Sequence, residues 1–260
     1  MGETPELAMI SIIIPVYNHA EELKACLASL ERQTEKDFEV IIVDDGSLVP
    51  CVIPSGAAAE PRDLFVPDSK RFLLGAPRRN DRTQLIRFEM NKGAPAARNE
   101  GFRLAKGELV MFLDADAVLV PSALARLKQA LAEHPEAAFA YPSFYFGRKL
   151  FRSRAFDVEA LREQNYIHTS VLMRREAFPG FDESLKKFQD WDLFLTMAEK
   201  GLKGVWVDET LLSFKPRRDG ISQWLPAFVH RLPWPILGWM PREVRRYREA
   251  EAIIRKKHKL

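Results

Sequence analysis

Leu109-Val110-Met111-Phe112-Leu113 is a run of five apolar residues with no polar position, and it ends in Asp114-Ala115-Asp116. A strand without a polar face must be covered on both sides, which is the condition of a strand inside a mostly parallel sheet with helices on each face. Two carboxylates then stand where that strand leaves the sheet, the place where open α/β sheets bind ligands. Oxygen donors at this spacing suit a hard divalent cation that also takes phosphate oxygens, such as Mg²⁺ or Mn²⁺. Alone the pattern is weak. Chance supplies roughly one Asp-x-Asp in a chain of this length, and a second one, Asp190-Trp191-Asp192, is present. Their neighbours have to separate them.

Further apolar runs repeat the pattern. Ser11 to Asn18 reads as a strand broken at Pro15, followed by a helix with Leu23, Leu27 and Leu30 at helical spacing. Phe38 to Val43 is a second buried strand that runs into Asp44-Asp45-Gly46-Ser47. Strand, helix and parallel strand make a right-handed βαβ unit. The stretch Leu48 to Asn80, rich in Pro, Gly and Ala, is expected to be a weakly structured insertion. Leu85–Phe88, Phe139–Tyr141, His168–Met173 and Val205–Val207 are further expected strands. Helices are expected over Pro95–Ala105, Pro121–His134 with proline in its permitted first turn, and Trp191–Lys200 closed by Gly201. The expected fold class is α/β, with a mixed, mostly parallel central sheet flanked by helices and a C-terminal helical arm.

Charge excludes one class of partner. The net charge of +3 is concentrated in residues 242–260, where eight Lys and Arg face three Glu, so the rest of the chain is slightly acidic. No general nucleic-acid surface follows, and no nucleic-acid partner is expected. Cys26 and Cys51 have neither zinc-ligand spacing nor the density of a disulfide framework, which fits a reducing compartment. The acidic start, Met1 to Met9, lacks the apolar core of a signal peptide, and no run reaches the ~20 apolar residues of a membrane span. The expectation is a cytoplasmic protein.

Four segments together resemble glycosyltransferase family 2, enzymes of the Rossmann-like GT-A fold that use nucleotide-sugar donors. They are Ile13-Ile14-Pro15-Val16-Tyr17-Asn18; Val43-Asp44-Asp45-Gly46-Ser47, which stands as the family's VDDGS; Asn91-Lys92-Gly93-Ala94-Pro95-Ala96-Ala97-Arg98-Asn99-Glu100-Gly101, which matches N-x-G-x-x-x-A-R-N-x-G; and Leu113-Asp114-Ala115-Asp116. Phe181-Asp182-Glu183-Ser184-Leu185 and Gln189-Asp190-Trp191-Asp192-Leu193 resemble the acceptor-half segment that carries the catalytic base. The resemblance spans residues 9–215. It implies a GT-A domain over 1–222, with a nucleotide-sugar half (9–120) and an acceptor half (121–222), and an arm over 223–260.

The resemblance also implies roles. Asp45 would accept the imide N–H of uracil or thymine, or else cap the local backbone as turn aspartates do. Arg98 would reach the base or phosphates, with a solvated helix arginine as the rival. Pro15 and Tyr17 would border the nucleobase, although Tyr17 would pack equally well. Asp114 resembles the residue on the ribose or a metal-bound water, and Asp116 the direct ligand of Mn²⁺ or Mg²⁺, whose charge would offset that of the departing diphosphate. Asp190 is the candidate general base of an inverting displacement. The family's Glu-Asp is Gln189-Asp190 here. Lys215 and Arg217 or Arg218 would supply positive charge to the diphosphate, without the histidine many members have there. Trp191 and His168 are expected in the acceptor or sugar pocket, a satisfied core histidine being the alternative for His168.

The arm holds Trp224, Trp234 and Trp239 among prolines, then a basic helix over Arg242 to Lys259 with Val244, Tyr247, Ala250 and Ile254 along one stripe. Such a segment suits either a membrane surface carrying anionic lipid or packing on the domain. The leading expectation is transfer of one sugar from a UDP- or dTDP-sugar to a hydroxyl of a glycan or lipid-linked acceptor. A catalytically silent nucleotide-sugar-binding module is the rival from another class. A sugar-nucleotide pyrophosphorylase is disfavoured because its glycine-rich loop does not follow Ile10–Ile14. The Q-x-x-R-W signature of processive synthases is absent too.

Overall fold

The computed structural model describes residues 8–49, 82–215 and 240–260. Most of the expected insertion, Arg217 and Arg218, and the three arm tryptophans lie outside the described residues. The chain opens with β1 (Ile10–Val16), α1 (Ala20–Glu31), β2 (Phe38–Asp44) and β3 (Thr83–Arg87). There follow α2 (Ala94–Leu104), β4 (Leu109–Phe112), β5 (Ala117–Leu119), α3 (Ala123–Glu133), β6 (Ala137–Phe146) and β7 (Lys149–Phe151). After these come α4 (Val158–Glu163), β8 (Leu172–Arg174), α5 (Gln189–Glu199), β9 (Lys203–Phe214) and α6 (Arg242–Lys257).

The described strands form a sheet ordered β3-β2-β1-β4-β8-β6-β9-β5, with β7 attached to β6. β3, β2, β1 and β4 run parallel, β8 is antiparallel to β4 and β6, β9 is parallel to β6, and β5 closes antiparallel on β9. This is the mixed, mostly parallel GT-A arrangement expected. Alternation along β1 shows why its apolar run is unbroken: Ile12 and Ile14 enter one core with α1 and α3, while Ile13 enters the other with α2 and α5. All three are fully buried. At β1 the second core is very thin, because a Cβ on Gly101 would lie 2.4 Å from Ile13 Cγ2. Glycine there lets α2 lie down on the sheet.

Several boundaries differ from expectation for local reasons. β6 and β9 are 10 and 12 residues long, far beyond the short apolar cores that mark them, because polar positions such as Ser143 and Thr210 continue the ladder past a register shift that skips Asp208 and Glu209. Pro142 sits inside β6 at a register shift, where a missing N–H is tolerated. The expected strand over His168–Met173 shrinks to Leu172–Arg174, leaving His168 in the preceding loop. Residues 143–165 resolve into β7 and α4, the latter capped by Asp157 Oδ1, which accepts the N–H groups of Glu159 and Ala160 at 2.9 and 3.1 Å.

α6 packs its stripe on the domain. Val244 and Ile254 are fully buried, and Tyr247 meets Phe188 edge-on at 5.0 Å. Among the described residues, no helix is long and apolar enough to cross a membrane.

Candidate active site

The carboxyl ends of β1, β2 and β4 form the floor, and short polar loops lace them together. After β1 the chain turns at Asn18 (φ 56°), whose N–H donates to Ser47 Oγ at 2.9 Å and whose Oδ1 accepts from Leu48 N–H at 2.9 Å. Asp44 Oδ1 accepts the Ser47 N–H at 2.9 Å, closing the turn after β2. Gly46 (φ 73°) has no room for a side chain, because a Cβ would come within 2.7 Å of the Asn91 nitrogen. Half-buried Pro15 and 43 % exposed Tyr17 lie at this rim, so Tyr17 presents its ring rather than packing it.

Asp45 is 2 % exposed, and its two oxygens accept the backbone N–H groups of Lys92 and Gly93 at 2.7 and 2.8 Å. Burial pushes its carboxyl above the ordinary value, outweighing those donors. In this structure Asp45 therefore does the backbone-capping job, fixing the loop that leads into α2.

Arg98, Asp114, His168, Gln189 and Asp190 converge past the end of β4. Arg98 projects from α2, donates from Nη2 to Asp114 Oδ1 at 2.8 Å and from Nη1 to Gln189 Oε1 at 2.8 Å, and rests over the Phe181 ring at 5.2 Å. Gln189 Nε2 donates to Leu185 O at 3.0 Å, so the amide is oriented from both ends. Expected to reach a base or phosphate, Arg98 is instead only 6 % exposed, with both terminal nitrogens engaged inside the protein and its Nε buried without a partner. It ties α2 and the end of β4 to the first turn of α5.

Electrostatics separates the two central carboxylates. Burial pushes Asp114 up, but Arg98, aided by His168, outweighs it and holds the carboxyl below the ordinary range. At Asp190 burial dominates over His168, the Trp191 N–H and Arg98, so its carboxyl is raised. His168 is lowered, chiefly by burial against the pull of Asp114 and Asp190. Its Nδ1 accepts the Ser170 N–H at 3.1 Å, which in the neutral ring leaves the proton on Nε2, 3.6 Å from Asp114 Oδ2. Phe144 and Phe214 flank the imidazole at 5.2 and 4.2 Å.

The motif residue next to Arg98 is equally occupied. Asn99 donates from Nδ2 to Phe181 O and Glu183 Oε1 and accepts the Phe181 N–H, each at 2.9 Å. Arg98, Asn99 and Gly101 thus bracket α2 to β4, to the Phe181–Glu183 turn and to β1. Asn99 and Gln189 were not among the expected site residues, although the first lies inside the A-R-N-x-G match.

Asp116 stands half-buried in the turn between β4 and β5. Among the described residues no group of three or more His, Cys, Asp or Glu side chains gathers as a metal-ligand set. The donor chemistry still fits a hard cation held by one or two carboxylates that takes its other ligands from phosphate and water. Cys26 lies beneath, its thiol pushed up by burial and by Asp116 and Asp114, which keeps it unreactive. Lys215 is exposed just past β9. Trp191, expected in the acceptor or sugar pocket, is 3 % exposed and its indole donates to Leu161 O at 2.7 Å, so it packs α5 on α4.

The fold is of GT-A type, with carboxylates gathered at the strand ends. The profile described as Glycosyl transferase family 2 matches residues 11–51 and 68–183, and the chain belongs to that family. An uncharacterized glycosyltransferase of Haemophilus influenzae is 28 % identical over 231 residues, 82 % of this chain and 71 % of its own. The PGL/p-HBAD biosynthesis glycosyltransferase of Mycobacterium tuberculosis is 31 % identical over 190 residues, 71 % of this chain and 67 % of its own. Among solved structures, residues 1–349 of TarS from S. aureus in complex with UDP-GlcNAc share the fold with a TM-score of 0.63 at 18 % identity, over 84 % of this chain and 62 % of that one. The mannosyltransferase PcManGT from Pyrobaculum calidifontis, in complex with GDP-Man and Mn²⁺, gives 0.55 at 18 % identity, over 98 % and 72 %. This chain thus spans less than two thirds of the TarS fragment.

Proposed function

We propose that this glycosyltransferase moves one sugar from a UDP- or dTDP-sugar to a hydroxyl of a glycan or lipid-linked acceptor, with inversion at the anomeric carbon. The observation that carries this reading is the unequal pair Asp114 and Asp190. One carboxylate is held ionised by Arg98, and the other is raised by burial beside a neutral His168. A base that must take a hydroxyl proton works best when its affinity for protons is lifted above that of an ordinary carboxylate. Asp190 takes that role, and His168 with its aromatic neighbours borders the acceptor. Tyr17 and Pro15 would cover the base, and Lys215 with Arg217 would supply positive charge to the diphosphate. Asp45, while capping Lys92–Gly93, keeps lone pairs that can meet an imide N–H.

Asp116, with Asp114, would hold Mn²⁺ or Mg²⁺, which when bound neutralises charge on the leaving diphosphate. Arg98 acts in this reading by holding Asp114 and Gln189. Neutral Gln189 suits it, because a second carboxylate beside Asp190 would compete for the same guanidinium. The exposed face of α6 carries Arg242, Arg245, Arg246 and Lys256, with Lys259 just beyond its end, which would bring a lipid-linked acceptor near through attraction to anionic headgroups. The test is a thermal-shift series with UDP, dTDP and GDP, with and without Mn²⁺, since ligands of the native state raise its melting temperature. UDP and dTDP are expected to stabilise more than GDP, and more so with Mn²⁺. A larger shift with GDP removes the donor assignment.

A further inference from the structure

The second Asp-x-Asp divides its carboxylates between two tasks. Residues two apart on a helix point about 200° apart, so Asp190 and Asp192 leave opposite sides of the first turn of α5. Asp190 faces His168 and Arg98 electrostatically. Asp192 turns away, is 4 % exposed, and meets the C-terminus of the chain. His258 Nε2 lies 2.8 Å from Asp192 Oδ1, and His258 Nδ1 lies 2.8 Å from Glu199 Oε1 at the far end of the same helix. Lys257 Nζ adds ion pairs of 2.8 Å to Asp192 and 2.7 Å to Asp182.

Between the two aspartates Trp191 is held by Leu161 O and lies under Arg255, whose guanidinium carbon is 5.7 Å from the ring. Arg255 Nη2 donates to Glu163 O at 3.4 Å. Phe188, whose positive φ of 59° turns the chain into α5, packs on Tyr247. Two carboxylates and one imidazole in line, with the ring 2 % exposed, form a strap from one end of α5 to the other. The imidazole donates to both only as imidazolium.

We infer that Lys257 and His258 are positioning residues for the glycosyl-transfer site: they clamp α5 through Asp192 and Glu199 and so fix where Asp190 and Gln189 stand. Neither residue touches the reacting groups. The α6 tail thereby belongs to the catalytic half of the enzyme, whatever its outer face binds. This inference rests on the proposed role of Asp190, so its test has an arm independent of that role.

In full-length His258→Ala, and in His258→Gln, whose amide has one donor nitrogen where the imidazolium has two, amide hydrogen exchange is measured by mass spectrometry. Exchange in peptides covering 189–199 is expected to rise tenfold or more in the alanine variant and less in the glutamine variant, with β1, β2 and β4 unchanged. Unchanged exchange in α5, or a rise spread over the whole chain, overturns the clamp. The second arm follows UDP release from UDP-GlcNAc, UDP-glucose and UDP-galactose, with UDP affinity measured alongside. A fall of tenfold or more in kcat at unchanged UDP affinity, with Asp192→Ala adding little to His258→Ala, is the expected signature. Equal loss of kcat and UDP affinity counts against it. If Asp190→Asn turns over normally, or no donor is used, the proposed function falls while the exchange arm still decides the clamp.

Discussion

Replacing Arg98 by methionine tests how the two halves of the site are joined. The substitution keeps an unbranched apolar stem over Phe181 but deletes hydrogen bonds of 2.8 Å to Asp114 and to Gln189. Hydrogen bonds to a charged group contribute about 1.5–3 kcal/mol each, and relief of the unpartnered buried Nε returns about 1–3 kcal/mol. Asp114 keeps 26 % side-chain exposure and can recover water. The net destabilisation is centred on about 2.5 kcal/mol, which for a domain of this size lowers Tm by roughly 5–10 °C. Arg98→Lys, which keeps the charge but cannot span both partners, should fall between wild type and Arg98→Met. Thermal unfolding followed by circular dichroism reads stability, and titration calorimetry with UDP reads binding. If Arg98→Met loses UDP affinity while its Tm stays within about 2 °C of wild type, the arginine serves the ligand directly and the bracket is refuted.

Other consequences are sharper in sign than in size. Asp190→Asn should abolish transfer, retain UDP binding and raise Tm at neutral pH, because burial holds that carboxyl above its ordinary value. The sign follows from linkage: the folded state binds the proton at higher pH than the unfolded chain, so the stability cost is full above the raised value and vanishes below the ordinary one. The variant's Tm advantage should therefore shrink in acid, and wild-type turnover should fall over the same window. A lower Tm for Asp190→Asn at neutral pH contradicts this. Asp116→Asn should remove Mn²⁺-dependent turnover, as chelation does to wild type, with the circular dichroism spectrum unchanged; undiminished turnover in chelator dismisses the metal assignment. Gly101→Ala should cost about 1–3 kcal/mol by overpacking against Ile13, and a Tm equal to wild type would show that α2 can lift without penalty.

The sheet was legible because burial on both faces leaves no choice of residue type. Ile12 to Ile14, Val40 to Val43 and Leu109 to Phe112 appear as unbroken apolar runs, and each is a central strand. The edges were less so. β5 is three residues long and exists only because the end of β9 passes beside it, a fact of tertiary pairing that no local pattern carries. The later strands fared like the edges: β6 and β9 mix polar and apolar positions, and their lengths are set by each other.

Site residues were legible as types and less so as contacts. Asp45 and Arg98 were picked out by their motifs, yet both spend their polar atoms inside the protein, because a motif gives spacing along the chain and not the direction of a side chain. Direction on a helix depends on where the helix begins. With α5 expected to start at Trp191, Asp190 would belong to a loop and its neighbours would have no fixed phase. With the start at Gln189, after the left-handed turn at Phe188, the first turn sends Gln189 to Arg98, Trp191 to Leu161 and Asp192 to His258. A two-residue shift in one boundary thus decides which aspartate meets the tail and where the Trp191 indole packs. Nothing in the local sequence announces the shift, because Phe188 is a poor candidate for a positive φ. What holds it there is packing against Trp191 at 5.7 Å and Tyr247 at 5.0 Å, the second of which comes from the last helix of the chain.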